Sequence, residues 1–259
     1  MVRKKIGLAL SGGGARGFAH VGVLKVLAEH NIRFDMIAGT SAGSVVGGAL
    51  AVGMNLGEIE AMSRKVGYLN MMRPSFSPLG LLSNAPMGKF IEREFPIRRF
   101  ENLSIPFAAV AYDLKKGEEV VLKDNGDLIM AIRASCAVPG LFTPIRDATG
   151  RILVDGGIIS VLPVDAVRAM GADIVIAVDV LACGSTFRST ARTAVGIMIR
   201  SAMILIRSAS KNQQFQADIT IEPQIAHLRP DQIGECDEFI VLGEAEARKR
   251  IDEIKAVVF

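Results

Sequence analysis

Along this chain, short apolar runs of strand character alternate with longer segments of helical period, and that alternation constrains the fold more than any other feature. The strand-like runs are Ile6–Leu10, Phe34–Ala38, Phe107–Tyr112, Glu119–Lys123, Arg151–Val154, Ile174–Val180 and Asp218–Ile221. The helical segments are Arg16–His30, Ala42–Val52, Leu56–Val66, Pro86–Glu94, Leu128–Ala134, Pro163–Met170, Thr190–Ser210 and Glu235–Val257. Strands separated by helices pair in parallel, because each helix carries the chain back across a sheet face. The expectation is an α/β layered domain on a mostly parallel sheet, with an antiparallel hairpin at Lys115-Lys116-Gly117. No boundary, repeat or low-complexity linker breaks the 259 residues, so one domain over 1–259 is expected. Residues 67–86 hold three prolines and no clear period, and read as a long ordered loop or a lid.

Composition removes several function classes. With 50% hydrophobic and 22% charged residues the chain is globular rather than disordered. A net charge of +3, without interleaved aromatic and basic residues, does not describe a nucleic-acid binder. Cys136, Cys183 and Cys236 are odd in number and far apart, which gives no disulfide framework and fits a reducing, cytoplasmic compartment. The opening MVRKKIGLALSGGGARG has too short an apolar run for a signal peptide, and no run of 18 apolar residues exists to span a membrane. No His/Cys/Asp cluster has metal-ligand spacing, and no cofactor is expected.

Three glycine motifs carry the chemistry. The run Ile6–Leu10 stops at Gly12-Gly13-Gly14, with Arg16 and Gly17 before a periodic segment reading Phe18, Val21, Leu24, Leu27. A bare backbone aimed with a helix N-terminus at one spot binds negative charge. Gly12-x-Gly14-x-x-Gly17 formally matches the dinucleotide fingerprint, but the acid that should close the second strand is missing: Asp35 begins that strand and Gly39-Thr40 ends it. The second motif, Gly39-Thr40-Ser41-Ala42-Gly43, is GxSxG between a strand and a helix, the context in which a sharp turn lifts a nucleophilic serine clear of a sheet. Ser41 could equally be a plain helix N-cap. The third, Asp155-Gly156-Gly157, is by itself an ordinary Asp-Gly turn. In a parallel sheet its carboxylate would share the carboxyl edge with the other two motifs.

Taken in this order, Gly12–Gly17, Gly39–Gly43 and Asp155–Gly157, with Ala134-Ser135-Cys136-Ala137-Val138-Pro139 before the aspartate, resemble the patatin-like phospholipase family, and within it the short bacterial members related to the neuropathy target esterase catalytic domain. The resemblance implies a three-layer α/β/α sandwich and a serine acyl hydrolase with lipid ester substrates. It implies a Ser41–Asp155 dyad, and the glycine loop then reads as an oxyanion site built on Gly13, Gly14 and Arg16. Arg16 stands in a first helical turn, where a cation opposes the dipole; such local conflicts gather at functional sites, although pairing with a carboxylate would also explain it. His227 follows Asp155 in the order of a Ser-Asp-His triad and is the rival base, while His20 reads as a structural neighbour of the loop and His30 as the end of its helix. Met71, Met72, Phe76, Leu79, Leu81 and Leu82 would suit an acyl-chain wall or a core under a loop. Arg192, Arg200 and Arg207 share a stripe of one helix, which could lie on an anionic membrane or form a solvated face.

Overall fold

The computed structural model describes residues 3–183, 197, 201, 204–208 and 212–259. In chain order the elements that position the site are β1 (Ile6–Leu10), α1 (Phe18–Glu29), β2 (Met36–Thr40), α2 (Ala42–Ala51), α3 (Leu56–Arg64), α4 (Tyr68–Met71), β3 (Arg73–Pro74), β4 (Gly80–Ser83), α5 (Ala85–Glu94), β5 (Phe107–Asp113), β6 (Glu118–Lys123), α6 (Leu128–Ser135), β7 (Gly140–Phe142), β8 (Ile145–Arg146), β9 (Ile152–Asp155), α7 (Val164–Ala169), β10 (Ile174–Val178) and β11 (Ile219–Ile221), followed by a C-terminal helix, Cys236–Val258. The main sheet runs β11-β10-β1-β2-β5-β9-β8, with β6 also on β5. The pairings from β11 through β5 are parallel, whereas β6, β8 and β9 add antiparallel pairs.

The period of two along each strand sorts side chains between two cores. Leu8, Leu10, Ile37, Phe107, Ile176 and Val178 enter a large core beneath α1, α2, α5, α6 and the C-terminal helix. Ala9, Ala38, Ala108, Val110, Val175 and Ala177 face the other way, where the small residues let α7 lie close. Helix, sheet and helix thus form three layers. On the larger side, α1 and the C-terminal helix meet backbone to backbone: a Cβ on Gly22 would lie 1.9 Å from the Ile240 carbonyl oxygen, and one on Gly243 would lie 2.1 Å from that of Ala19.

Where sequence and structure differ, local geometry supplies the reason. The first helix begins at Phe18 rather than Arg16, because Gly14–Gly17 form a 3-10 turn. The Ala15 N–H donates to the Pro230 carbonyl at 2.8 Å, which ties this turn to a distant loop. Residues 67–86 are more than an ordered loop. They form α4, β3 and β4, and β4 pairs with β7 in a second, three-stranded sheet. Strands of two to four residues are too short to show a period. In that segment Met71 packs on the core, while Leu69, Phe76, Leu79 and Leu81 are exposed. The expected Thr190–Ser210 helix lies largely outside the described residues, Arg192 and Arg200 included; Arg207 donates to the Ala182 carbonyl. Among the described residues no helix is long and apolar enough to cross a membrane.

The largest correction concerns β9. It does not run parallel to its neighbours, so Asp155 does not sit just past a parallel strand. β6 occupies one edge of β5 along Ala108–Asp113. On the other edge β2 pairs with Phe107–Val110 and β9, running the opposite way, pairs with Ala111–Asp113. The two strands meet tip to tip: Thr40 lies opposite Val110 and Asp155 opposite Ala111.

Candidate active site

Ser41 occupies the turn between β2 and α2 at φ 52°, ψ −123°. A left-handed backbone at a residue bearing a Cβ costs on the order of 1–3 kcal/mol and persists only where its surroundings hold it. Those holders are on hand. The Ser41 N–H donates to Ser135 Oγ at 2.9 Å, and Ser135 Oγ in turn donates to the Val110 carbonyl at 2.6 Å. The Ser41 carbonyl accepts from Ser44 Oγ at 2.6 Å and from the Ser44 N–H at 2.8 Å. Thr40 Oγ1 donates to the Ser160 carbonyl at 2.7 Å, which ties the elbow to the turn after Asp155. Gly39 and Gly43 admit no side chain: a Cβ on the first would lie 2.4 Å from the Gly43 oxygen, and on the second 2.2 Å from the Leu10 oxygen.

Asp155 closes β9 and is almost wholly buried. Its N–H donates to the Ala137 carbonyl at 3.0 Å, and its Oδ1 accepts the Gly157 N–H at 2.8 Å. The Ser41 side chain stands beside this carboxylate and favours its charged form. Burial outweighs both Ser41 and the Gly157 bond and pushes the carboxyl up to about 6. Gly156 packs against Val110, where a Cβ would lie 2.6 Å from the carbonyl oxygen. Cys136 stands beside this pair with Sγ 3.8 Å from Ser44 Oγ; burial, then the Asp155 charge, raises its thiol well above the ordinary range.

The glycine loop lies alongside. Gly12 comes within 3.2 Å of Ser41 Cβ, counted from the Cβ it lacks, and its N–H donates to the Val161 carbonyl at 2.9 Å. Gly17 packs on Ala42 at the start of α2. Gly14 has φ +59°, a conformation glycine adopts freely. Among the described residues the N–H groups of Gly13 and Gly14 donate to no protein acceptor. Arg16 is fully buried but faces elsewhere: Nε and Nη2 donate to the Leu228 carbonyl at 3.1 and 2.7 Å, and Nη1 to Val180 at 3.4 Å. Its own N–H donates to the Gly13 carbonyl at 3.3 Å. The bonds shown for Arg16 therefore brace the loop from behind.

The histidines fall apart from the carboxylate. His227 pairs with Glu238 at 3.0 Å on the surface. His20 is fully buried; its Nε2–H donates to the Ser11 carbonyl at 2.9 Å, and desolvation lowers it to about 4. His30 terminates α1. Asp35 bonds the Ile6 N–H at the opposite pole of the sheet, away from the glycine loop. Ser135 is the residue whose role sequence reasoning missed: it lies in the Ala134–Pro139 segment already singled out, but only the fold shows that its hydroxyl holds the elbow. Among the described residues no three His, Cys, Asp or Glu side chains cluster as metal ligands.

A family model for patatin-like phospholipase matches residues 8–168, which contain the glycine loop, the elbow and Asp155. The chain belongs to the patatin-like phospholipase family. An uncharacterized NTE family protein of Mycobacterium tuberculosis is 39% identical to this patatin-like chain over 177 residues, covering 67% of this chain and 48% of that protein. The human patatin-like phospholipase domain-containing protein 6 is 34% identical over 192 residues, covering 71% of this chain and 14% of that one. The chain thus spans about half the length of the mycobacterial relative and a small part of the human one. In three dimensions this patatin-like chain resembles VipD from Legionella pneumophila, with a TM-score of 0.59 at 15% identity over 97% of this chain and 67% of that one. The type III effector protein ExoU gives a TM-score of 0.52 at 13% identity over 97% of this chain and 53% of that one. At such identities the likeness is one of fold.

Proposed function

We propose that this chain, as one domain over 1–259, is a serine acyl hydrolase that cleaves carboxylic esters of lipids with Ser41 as nucleophile and Asp155 as base. One observation carries the reading: a serine in a strained strand-to-helix elbow stands beside a buried carboxyl raised to about 6. A carboxylate at its ordinary value is a feeble base, and burial supplies the missing basicity. Asp155 takes the hydroxyl proton as Ser41 Oγ bonds to the ester carbon. The tetrahedral oxygen then accepts from the N–H groups of Gly13 and Gly14, each such donor contributing about 3 kcal/mol to the transition state. Collapse of the intermediate breaks the ester C–O bond, and Asp155 returns its proton to the leaving alcohol. Water, deprotonated by Asp155, releases the acid and restores Ser41. Lipid esters are the favoured class because of the family and because Ile159, two residues past Gly157, Leu81 of β4 and Leu79 in the turn before it are exposed apolar groups.

A fluorophosphonate probe should label the parent protein at Ser41 and leave Ser41→Ala unlabelled. Asp155→Asn should lose nearly as much turnover of a nitrophenyl ester as Ser41→Ala, because the two act as one unit. His227→Ala should change the rate by less than about tenfold, since only a surface contact is lost. A parent protein that resists the probe ends the hydrolase reading; a folded but inactive His227→Ala moves the base to a histidine.

A further inference from the structure

Away from Ser41, a cleft of about 370 Å³ opens between α5 and α6. Its charged lining is Lys89, Arg98, Arg99 and Arg133 against Glu92 and Asp127. The anions are committed. Glu92 pairs with Arg98 at 3.3 Å, and Asp127 caps α6 by accepting the Met130 N–H at 2.9 Å. Arg99 pairs with Glu101 outside the cleft at 2.6 Å. Lys89 and Arg133 form no ion pair among the described residues. Arg133 is half-buried, and the bond shown for its side chain runs from Nε to Asn84 Oδ1 at 3.3 Å. Burial lowers its basicity, and the Asp127 charge across the cleft offsets this only in part. Its position is built in: the side chain crosses α5 over Gly88, where a Cβ would lie 2.5 Å from Arg133 Cδ. A second cavity of about 460 Å³ shares Lys89 and Glu92 with the first and is walled by Leu69 and Pro86.

We propose that this cleft is a non-catalytic site for a phosphate group, held by Arg133 and Lys89. A guanidinium fork and an ammonium converging on one space suit a phosphate's oxygens, which accept several charge-assisted bonds at once. The apolar walls next door favour a phosphate carried on a lipid over a free one. That preference, though not the site itself, rests on the lipid-ester reading above. Arg133 stands in the last turn of α6, two residues before Ser135, which holds the Ser41 N–H, so the headgroup site and the elbow share one end of a short helix.

The test uses the Ser41→Ala protein, so that vesicles survive the assay. It should bind phosphatidylcholine vesicles carrying phosphatidic acid more tightly than phosphatidylcholine alone. Adding Lys89→Gln and Arg133→Gln should reduce that preference by roughly tenfold or more, as expected for two lost charge-assisted contacts. Lys89→Gln alone, at an exposed position, should act in the same direction even if the double variant folds poorly. Inorganic phosphate that raises the melting temperature of the parent but not of the double variant, without a vesicle preference, assigns the site to a soluble phosphate. If Lys89→Gln and the double variant match their parent with both vesicle types and with phosphate, the proposal is overturned. With Ser41 present, Lys89→Gln should hydrolyse a soluble nitrophenyl ester at the parent rate; a parent inactive on that ester sinks the hydrolase reading and leaves the vesicle result standing.

Discussion

Two buried groups, Asp155 and His20, set opposite pH trends in the stability of this chain. Asp155 is raised from 3.8 to about 6 in the fold, so between those values the folded chain keeps a proton that the unfolded chain has released. Its contribution to stability therefore falls as pH rises through that window and stays low above it. His20 is lowered from 6.5 to about 4, so the unfolded chain holds the extra proton, and stability rises with pH over nearly the same range. The two trends offset each other from about pH 4 to 6, so neither group alone sets how the melting temperature of the parent moves there. Asp155→Asn removes one of them. It should melt higher than the parent at pH 8, by an amount on the order of 2–3 kcal/mol, and should lose that gain toward pH 4. Thermal scans across this range decide it; an unchanged melting temperature at pH 8 would mean that Asp155 is not desolvated at a cost. On the proposed mechanism kcat/KM should climb through about pH 6 to a plateau, as the basic form of Asp155 appears.

At the scale of elements, α1 behind the glycine loop depends on contact with the C-terminal helix through two glycines. Gly243→Ala would place a methyl group 2.1 Å from the Ala19 oxygen, and the helices can relieve it only by separating. Overpacking of this kind costs about 1–3 kcal/mol. Gly234→Ala, with open space around it, should be neutral. Differential scanning calorimetry on the pair tests this, and equal melting temperatures would refute it. Most elements were legible in sequence because their apolar runs have clear ends: β1 and the start of α2 fall where the pattern puts them, and α3 opens on the Asn55–Glu58 capping box. The short strands β3, β4 and β7 were not legible, since two to four residues carry no period. The glycine motifs marked Ser41, Asp155 and the loop as candidates because, taken together and in that order, they resemble the patatin-like family; each alone has an ordinary structural reading. The support from Ser135 and the reversed direction of β9 are properties of pairing between distant segments, and no local pattern encodes them. Arg16 was readable as a conflict with the helix dipole, but the carbonyls that absorb its charge belong to residues 180 and 228, far off in sequence.

For the molecule as a whole, the meeting of β2 and β9 on one edge of β5 has a meaning in time. The glycines and the Ser44 bonds that shape the Ser41 elbow lie within residues 10–48, a span that can settle early, while Val110, Ser135 and Ser160 brace it from later in the chain. Its proposed base arrives more than a hundred residues later, on a strand whose local partner is only the two-residue β8 and which reaches the sheet through β5. Long-range pairing of this sort is the slow part of folding. On refolding from denaturant, helical circular dichroism should therefore recover before ester hydrolysis and probe labelling of Ser41; recovery of all three in step would contradict this order. On the proposed mechanism the same order acts during synthesis as a safety catch: a nascent chain that has not yet exposed residue 155 holds a trigger without its firing pin, and lipid esters meet no working pair until the polypeptide is well past its midpoint.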